Sequence, residues 1–384
     1  MKDETVVEGH QRGIKVAFVA LNPSHSAMQT KFRGQVEGLE ELVRRGEIAA
    51  AFPMVTTRLT PDIDVHALGS SSVKYPTNRR WAREWNWLVN YNRLLRMVVR
   101  ECLLNGVDVL YIRKPPGFDW RAVLALRRLR RAGVRVLFEV PTYPYDSELT
   151  ARPFTLFLDR CARRFLRCAA DRVVTVSSDD VIFGVPSIKL DNGVDLSTVP
   201  VRTPRTKRGG VTLISVSSLL PWHRLDRIVS SVRTYWAQGG TEIQRLLLVG
   251  EGECKDDLVQ AAQNDPRIQF CAKAFGPDLD RFFDGADIGV GALAEEGDRG
   301  LTHVAALKHR EYAARGLPFF YGMTDPGFTG TGYAMQVADG SLDLHAVMRW
   351  WRALNLSPNE IRRDAERFSW ANQMGKVLRE AGAS

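Results

Sequence analysis

The residues best equipped for chemistry lie in the stretch 215–321, where apolar runs repeatedly give way to short polar turns. In SVSSLLPWHRLDRIV (215–229) such a run ends at Ser217 and Ser218, and His223 and Arg224 precede a helix-like stretch that starts near Leu225. The first amides of a helix lack intrahelical acceptors and carry the positive end of its dipole, so they suit a diphosphate. A plain helix cap with its polar loop would use the same residues, and this stretch alone decides little. RLLLVGEGE then carries Gly250, where a missing side chain admits close approach. RIQFCAKAF carries Lys273 and Ala274, and ADIGVGAL ends at Leu293. Last comes LTHVAALKHREYAARGLPFF, a polar loop with Thr302 and His303 and then a helix on which Lys308 and Glu311, three apart, share one face.

Parallel strands would deliver such turns to one edge of a sheet, and the alternation of patterns fits that scaffold. KVAFVAL opens a strand–loop–helix unit whose helix runs from Met28 to about Arg45. Strand 107–113, helix 119–131, strand 134–140, helix 154–170, strand 172–176 and a short strand at 187–190 complete a first series. LSTVPVRTPRTKRGG, rich in Pro, Thr, Gly and positive charge, interrupts the alternation and reads as a linker. The second series has strands at VTLISVSS, up to Gly250, and at 268–270, 288–290 and 318–321, with helices at 225–236, 254–263, 279–284 and 305–315. The expected fold is α/β, with two doubly wound Rossmann-like domains facing each other across a cleft. The expected boundaries are 1–198 for the first domain, 199–210 for the linker and 211–365 for the second domain, with a helix at 366–384 packing back on the first.

The ordered turns of 211–322 resemble the C-terminal domain of glycosyltransferase family 4, retaining enzymes of the GT-B fold. The likeness rests on the phosphate-binding turn at PWHRLDR, the strand LLLVGEG, the aspartate-containing strand ADIGV, Glu311 at the second glutamate of the family's pair with seven residues between, and AARGLP after it. KVAFVALNP, FEVPTYPYDSE and IKLDNGVD extend it more loosely over the N-terminal half. The resemblance implies that Glu311 accepts hydrogen bonds from the ribose hydroxyls, that the backbone at Lys273 and Ala274 meets the base, and that Thr302 and His303 lie near the sugar and its β-phosphate. The sequence departs from the family at Ser218 and His223, which replace its Arg and Lys on the phosphate turn, and at His303, which replaces its first glutamate. Charge for the leaving diphosphate would then come from Arg224, His223, Lys308 or Arg299. His303, Glu139 and Asp146 are the catalytic candidates, and His25, Lys31, Tyr143 and Tyr145 the acceptor contacts, although surface charge explains Asp146 and Glu148 better. Trp81, Trp85, Trp87 and Tyr91 would suit sugar stacking, but the packing of an amphipathic helix explains them at least as well. The implied activity is retaining, metal-independent transfer of a hexose from a nucleotide-diphosphate sugar to a glycan or lipid-linked acceptor in cell-surface polysaccharide synthesis, without a cofactor. The departures keep a second reading open: an inactive GT-B subunit that binds a nucleotide sugar or glycan beside an active enzyme.

At 384 residues the chain exceeds what one core usually supports. Its 45% hydrophobic and 25% charged residues exclude a disordered chain. Residues 1–200 hold 30 Lys and Arg against 22 Asp and Glu, whereas 201–384 hold 23 against 22, so the excess of +8 lies in the first part. An anionic partner is expected there, such as a membrane surface, with Arg127, Arg128, Arg130, Arg131, Arg160, Arg163, Arg164 and Arg167 as contacts. No nucleic-acid signature accompanies RRLRRAGVR, and ALNPSHSAM stands where a dehydrogenase would carry GxGxxG. The five cysteines form no CxxC pair, which argues against zinc and redox chemistry. The polar N-terminal segment and the lack of a long apolar run point to a cytoplasmic protein, peripheral on the inner face of the membrane. Asp62 and Asp64 of DIDVH spell a metal-clamping motif in an irregular stretch, so turnover is expected to persist in excess EDTA. An activity lost to EDTA and restored only by Mn²⁺ would contradict this.

Overall fold

The computed structural model describes residues 13–21, 26–56, 62–63, 65–66, 73–74, 80–115, 117–141, 143–150, 153–203, 210–295, 297 and 303–382, with 26–30, 56, 62–63, 65–66, 73–74, 80–90 and 147–148 described by backbone alone. The chain divides into two compact units, residues 1–191 with 370–384 and residues 192–369.

Unit 1 contains β1 (Lys15–Ala20), α1 (Ser26–Arg44), β2 (Ala50–Thr56), the two-residue strands β3 (Asp62–Ile63), β4 (Val65–His66) and β5 (Val73–Lys74), and α2 (Arg80–Leu104). It continues with β6 (Val109–Arg113), α3 (Trp120–Arg131), β7 (Arg135–Val140), α4 (Pro153–Arg163), β8 (Arg172–Thr175), β9 (Val181–Ile182) and β10 (Val185–Lys189). The main sheet runs β4-β2-β1-β6-β7-β8-β10-β9, parallel except for the antiparallel edge strands β4 and β9. The central strands are apolar on both faces, as a sheet covered by helices on each side requires. Asp119 starts α3 by accepting the amides of Arg121 and Ala122. The expected helix 154–170 stops at Arg163 and is followed by a 3₁₀ turn at Leu166–Cys168.

Unit 2 contains β11 (Val211–Val216), α5 (Leu225–Ala237), β12 (Ile243–Val249), α6 (Lys255–Ala262), β13 (Ile268–Cys271), α7 (Gly276–Asp284) and β14 (Ile288–Val290). Then come α8 (Leu307–Ala314), β15 (Phe319–Tyr321), β16 (Ala334–Gln336), α9 (Leu344–Ala353) and α10 (Pro358–Ala365). Its sheet is all parallel, in the order β13-β12-β11-β14-β15-β16. The strand order reverses between β11 and β14, so the two chain paths diverge there and leave a crevice at the carboxyl ends of the strands.

The boundary between the units lies at residue 192, ahead of the linker expected at 199–210. Arg362 donates to the carbonyls of Leu196 and Val199, and Arg202 to those of Gly316 and Ala286, which ties 196–202 to unit 2. The last helix, α11 (Trp370–Glu380), belongs to unit 1, where its apolar face joins the core beside α1. Trp370 fits there because Gly34 and Gly38, one turn apart on α1, have no side chains. A Cβ at Gly38 would lie 2.6 Å from the Trp370 carbonyl carbon, and one at Gly34 would lie 2.0 Å from the indole nitrogen.

Gly38→Ala pits a gain in helix propensity of about 1 kcal/mol against overpacking of about 1–3 kcal/mol, here against backbone that cannot rotate away. Net destabilisation is expected in urea unfolding; a variant as stable as the wild type would show that α1 and α11 separate freely.

Candidate functional site

The turns that leave the carboxyl ends of β11, β12, β13 and β14 converge at one edge of the unit 2 sheet, and α8 joins them from above β14. Each turn is held by its neighbours. Gly250 has φ +146°, and a Cβ on it would meet the Ser217 carbonyl at 1.9 Å. A Cβ on Gly252 would likewise fall 2.4 Å from the Leu219 carbonyl. The smallness of these glycines therefore serves the approach of the protein's own β11 turn. Leu219 N–H donates to the Glu251 carbonyl at 3.0 Å, and Cys254 N–H to the Leu219 carbonyl at 3.0 Å, so the two turns form one body.

After β11, Ser218 is exposed, and its carbonyl accepts from Nδ1 of His223. A carbonyl only accepts, so Nδ1 carries the proton and Nε2 of the neutral ring keeps its lone pair. Burial, with the charge of Lys308 adding to it, pushes His223 down to about 4, so the ring is neutral at physiological pH. Arg224 is left-handed (φ 47°, ψ 44°), a strained conformation for a residue with a Cβ, and begins α5 without a side-chain cap. Its guanidinium lies 3.3 Å from Glu295 and 3.4 Å from Asp226. Leu293 N–H donates to the His223 carbonyl at 3.1 Å and joins this turn to the one after β14. Beyond β13, Lys273 and Phe275 are exposed, with the Lys273 ammonium 4.8 Å from the Phe275 ring centroid, and Ala274 is half-buried.

Lys308 is 9% exposed. Its Nζ donates to the Gly291 carbonyl at 3.3 Å, and among the described residues no carboxylate pairs with it. Burial lowers it to about 7. Glu311, one turn on, is clasped through Oε1 by Nε and Nη2 of Arg315, each at 3.1 Å; Arg315 is braced in turn by Asp280 at 2.7 Å. His303 is half-buried in the loop that leads into α8. Arg299, Thr302 and, in unit 1, His25 lie outside the described residues.

The groups that hold α8 carry no apolar pattern and were not foreseen. Tyr312 accepts the Val216 amide and donates to the Val290 carbonyl, both at 3.1 Å, and so bridges β11 and β14. His309, fully buried, accepts the Ala292 amide on Nε2 at 3.0 Å and donates from Nδ1 to Asp325 at 2.7 Å. Arg310 grips Asp325 with both terminal nitrogens, Nη2 lying 2.7 Å from Oδ1. Burial would raise the Asp325 carboxyl, but the His309 bond and the Arg310 charge hold it at about 2. Asp325 also accepts the amides of Ala306, at the start of α8, and Gly327.

In unit 1 the expected residues are engaged with one another. Glu139 is 1% exposed and accepts from Tyr111 (2.9 Å), Gln35 (3.3 Å), Arg113 (2.8 Å) and Lys31 (3.2 Å). Burial works to raise its carboxyl, yet Lys31, Arg113 and these bonds keep it at about 2, so no oxygen is left for an acceptor hydroxyl. Lys31 is itself lowered, by burial first. Asp146 pairs with Arg163 and Arg160, which hold it at about 2. That is the surface-charge explanation, and it removes those two arginines from the unpaired set. Tyr145 is buried; its hydroxyl donates to Asp159 at 2.7 Å and its ring lies under Lys114, 4.0 Å away. Tyr143 packs edge-on to Phe183 at 5.5 Å, half-buried. Tyr91 is a core residue faced by Arg121, while the side chains of Trp81, Trp85 and Trp87 lie outside the described residues.

Removing one partner of a buried charge pair typically costs about 3–5 kcal/mol, which is the loss expected for Asp325→Ala in urea unfolding. The carboxyl is depressed, so its contribution is complete above the unfolded value of about 3.9 and disappears as pH falls towards its folded value. Wild type should therefore lose stability between about pH 4 and 2 that Asp325→Asn does not lose. Parallel pH profiles would remove Asp325 from the folded network.

No protein-family model and no curated protein sequence matches the chain. Solved structures do match. The lipopolysaccharide outer core galactosyltransferase WaaB, in its apo form, aligns over 96% of this chain and 99% of its own, with 12% identity and a TM-score of 0.61. The sucrose-phosphate synthase of Thermosynechococcus elongatus aligns over 96% and 99%, with 14% identity and a TM-score of 0.59. A Listeria monocytogenes protein assigned as a UDP-N-acetylglucosamine 2-epimerase aligns over 95% of each chain, with 11% identity and a TM-score of 0.51. Identities this low establish a common fold, and that fold is GT-B: two Rossmann-like units, each built on a largely parallel sheet.

Proposed function

We propose that unit 2 binds a nucleotide-diphosphate sugar at the β11/β14 crevice and that the protein transfers its hexose to a glycan or lipid-linked acceptor, with retention of configuration and without a metal. The observation that carries this reading is Lys308. A cation buried without a carboxylate among the described residues, beside the uncapped start of α5, suits an arriving anion, and a diphosphate supplies one. WaaB and the sucrose-phosphate synthase, as named, work on sugars in the same fold, which supports sugar transfer over other nucleotide chemistry.

In this reading Glu311, held by Arg315 at one oxygen, offers the other to the ribose diol. Lys308 and the first amides of α5 take the charge that gathers on the departing diphosphate, in the role a metal ion plays elsewhere. Arg224 contributes less, because Glu295 and Asp226 already share its charge. His223, neutral with a free Nε2 acceptor, suits a sugar hydroxyl better than a phosphate oxygen. His303 and the loop ahead of α8 border the sugar. Of the described acceptor candidates, Tyr143 keeps the most freedom, since Tyr145 and Lys31, like the catalytic candidate Glu139, are committed within unit 1.

Lys308→Met should weaken binding of a nucleoside diphosphate by about 1.5–3 kcal/mol while leaving the bare nucleoside unaffected. Glu311→Ala should weaken both. The protonated amine is the binding form, so diphosphate affinity should be highest below about pH 7 and decline above it. Calorimetry at pH 8 in buffers of differing ionisation heat should show proton uptake in wild type and none in Lys308→Met. The diphosphate site is wrong if Lys308→Met binds like wild type. Screening UDP-, GDP- and ADP-sugars for turnover separates the chemistry: release of nucleoside diphosphate marks transfer or hydrolysis, an epimerised donor marks an epimerase, and tight binding without either marks an inactive subunit.

A further inference from the structure

Helix α3 turns one stripe outward. Trp120 and Leu124 occupy its first half, 41% and 62% exposed, and Arg127 and Arg131 continue the stripe at helical spacing, with the exposed Arg128 beside them. The Trp120 ring meets Phe165 at 4.6 Å, and Phe165 is itself 44% exposed. Helix α4 packs against α3 and exposes Phe154 and Phe157, 67% and 62%, while the following turn exposes Arg164 and Arg167. Five large apolar side chains held in water, four on two adjoining helices and Phe165 just after the second, are unusual for a surface with no partner.

The charges around them point one way. Helices α3 and α4 carry one acidic residue between them, Asp159, and it is fully buried under Tyr145 and Lys114. Of the arginines, Arg130 pairs with Asp171, and Arg160 and Arg163 with Asp146. Arg127, Arg128, Arg131, Arg164 and Arg167 have no carboxylate partner among the described residues. No described helix is long and apolar enough to cross a membrane, so the surface suits contact at the interface.

We propose that this face of unit 1 seats on an anionic lipid bilayer, with Trp120, Leu124, Phe154, Phe157 and Phe165 entering the headgroup–acyl boundary and the five unpaired arginines at the phosphates. Tryptophan and phenylalanine favour that boundary, and arginine pairs with lipid phosphate in a fixed fork. The apolar residues give the contact a part that salt does not screen, which a purely basic surface lacks. The proposal is independent of the chemistry assigned to unit 2 and is tested by binding, not turnover.

The full chain should sediment with phosphatidylcholine vesicles containing one-third phosphatidylglycerol and only weakly with phosphatidylcholine alone. Arg127→Glu/Arg128→Glu/Arg131→Glu should lower the partition coefficient by about a hundredfold. Leu124→Ser/Phe154→Ser/Phe157→Ser should still bind at low salt but lose the binding that wild type retains at high salt. These side chains are exposed, so both variants should melt at the wild-type temperature. Should either fail to fold, quenching by brominated lipid gives a second reading: wild type should be quenched more than Trp120→Phe. Wild type that ignores anionic vesicles, variants that bind as it does, or a wild-type dimer that the serine variant dissociates without any vesicle binding would each overturn the proposal.

Discussion

A carboxylate sealed from water is tolerated only when its charge is answered, and unit 2 is organised around one such group. Asp325 takes Arg310 and His309 from α8, the amide of Ala306 ahead of that helix and the amide of Gly327 after it. One charge thus fixes the approach to α8, its first turns and the chain that follows β15. Lys308 and Glu311 flank these anchored residues, so their positions are inherited from a network that touches no ligand. Tyr312 adds the attachment to β11 and β14, the two strands between which the sheet order reverses. The geometry of the crevice is set by what lies behind it.

The two units treat buried charge in opposite ways. Around Glu139 two cations, a phenol and an amide satisfy both carboxylate oxygens, so the buried anion is fully answered. Around Lys308 the protein supplies one carbonyl at 3.3 Å and nothing of opposite charge among the described residues. An uncompensated buried charge lowers stability and shifts towards its neutral form, as Lys308 does. Retaining it makes physical sense where an arriving anion restores the balance.

Much of the architecture was legible in the sequence because parallel strands covered on both faces are nearly continuous apolar runs, and KVAFVAL, VTLISV and LLLVG announce themselves. The elements that escaped lack that signal: β2 carries a proline, and the helix read as 154–170 breaks at Arg163 where no glycine or proline marks an end. The site was half legible. The turns after β11, β12 and β13 and the helix α8 are recognisable, but the burial of α8 is not, since Lys308, His309, Arg310 and Tyr312 would normally face water. The partner that makes this possible, Asp325, sits in TDPGF, which reads as a plain turn. Glu139 and Tyr145 misled for the converse reason: a polar residue near a strand end or in the turn beyond it looks the same in sequence whether it points at a ligand or at an interior charge.

The groove of Gly34 and Gly38 is filled by a residue made after all of unit 2. During synthesis residues 192–369 emerge with everything their own sheet needs, whereas the core beside α1, including Phe32, Leu39 and Leu42, stays uncovered until Trp370 to Leu378 follow. The unit translated first is thus the one completed last, and its apolar flank is open to chaperones, or to aggregation, for as long as the ribosome takes to write the other half.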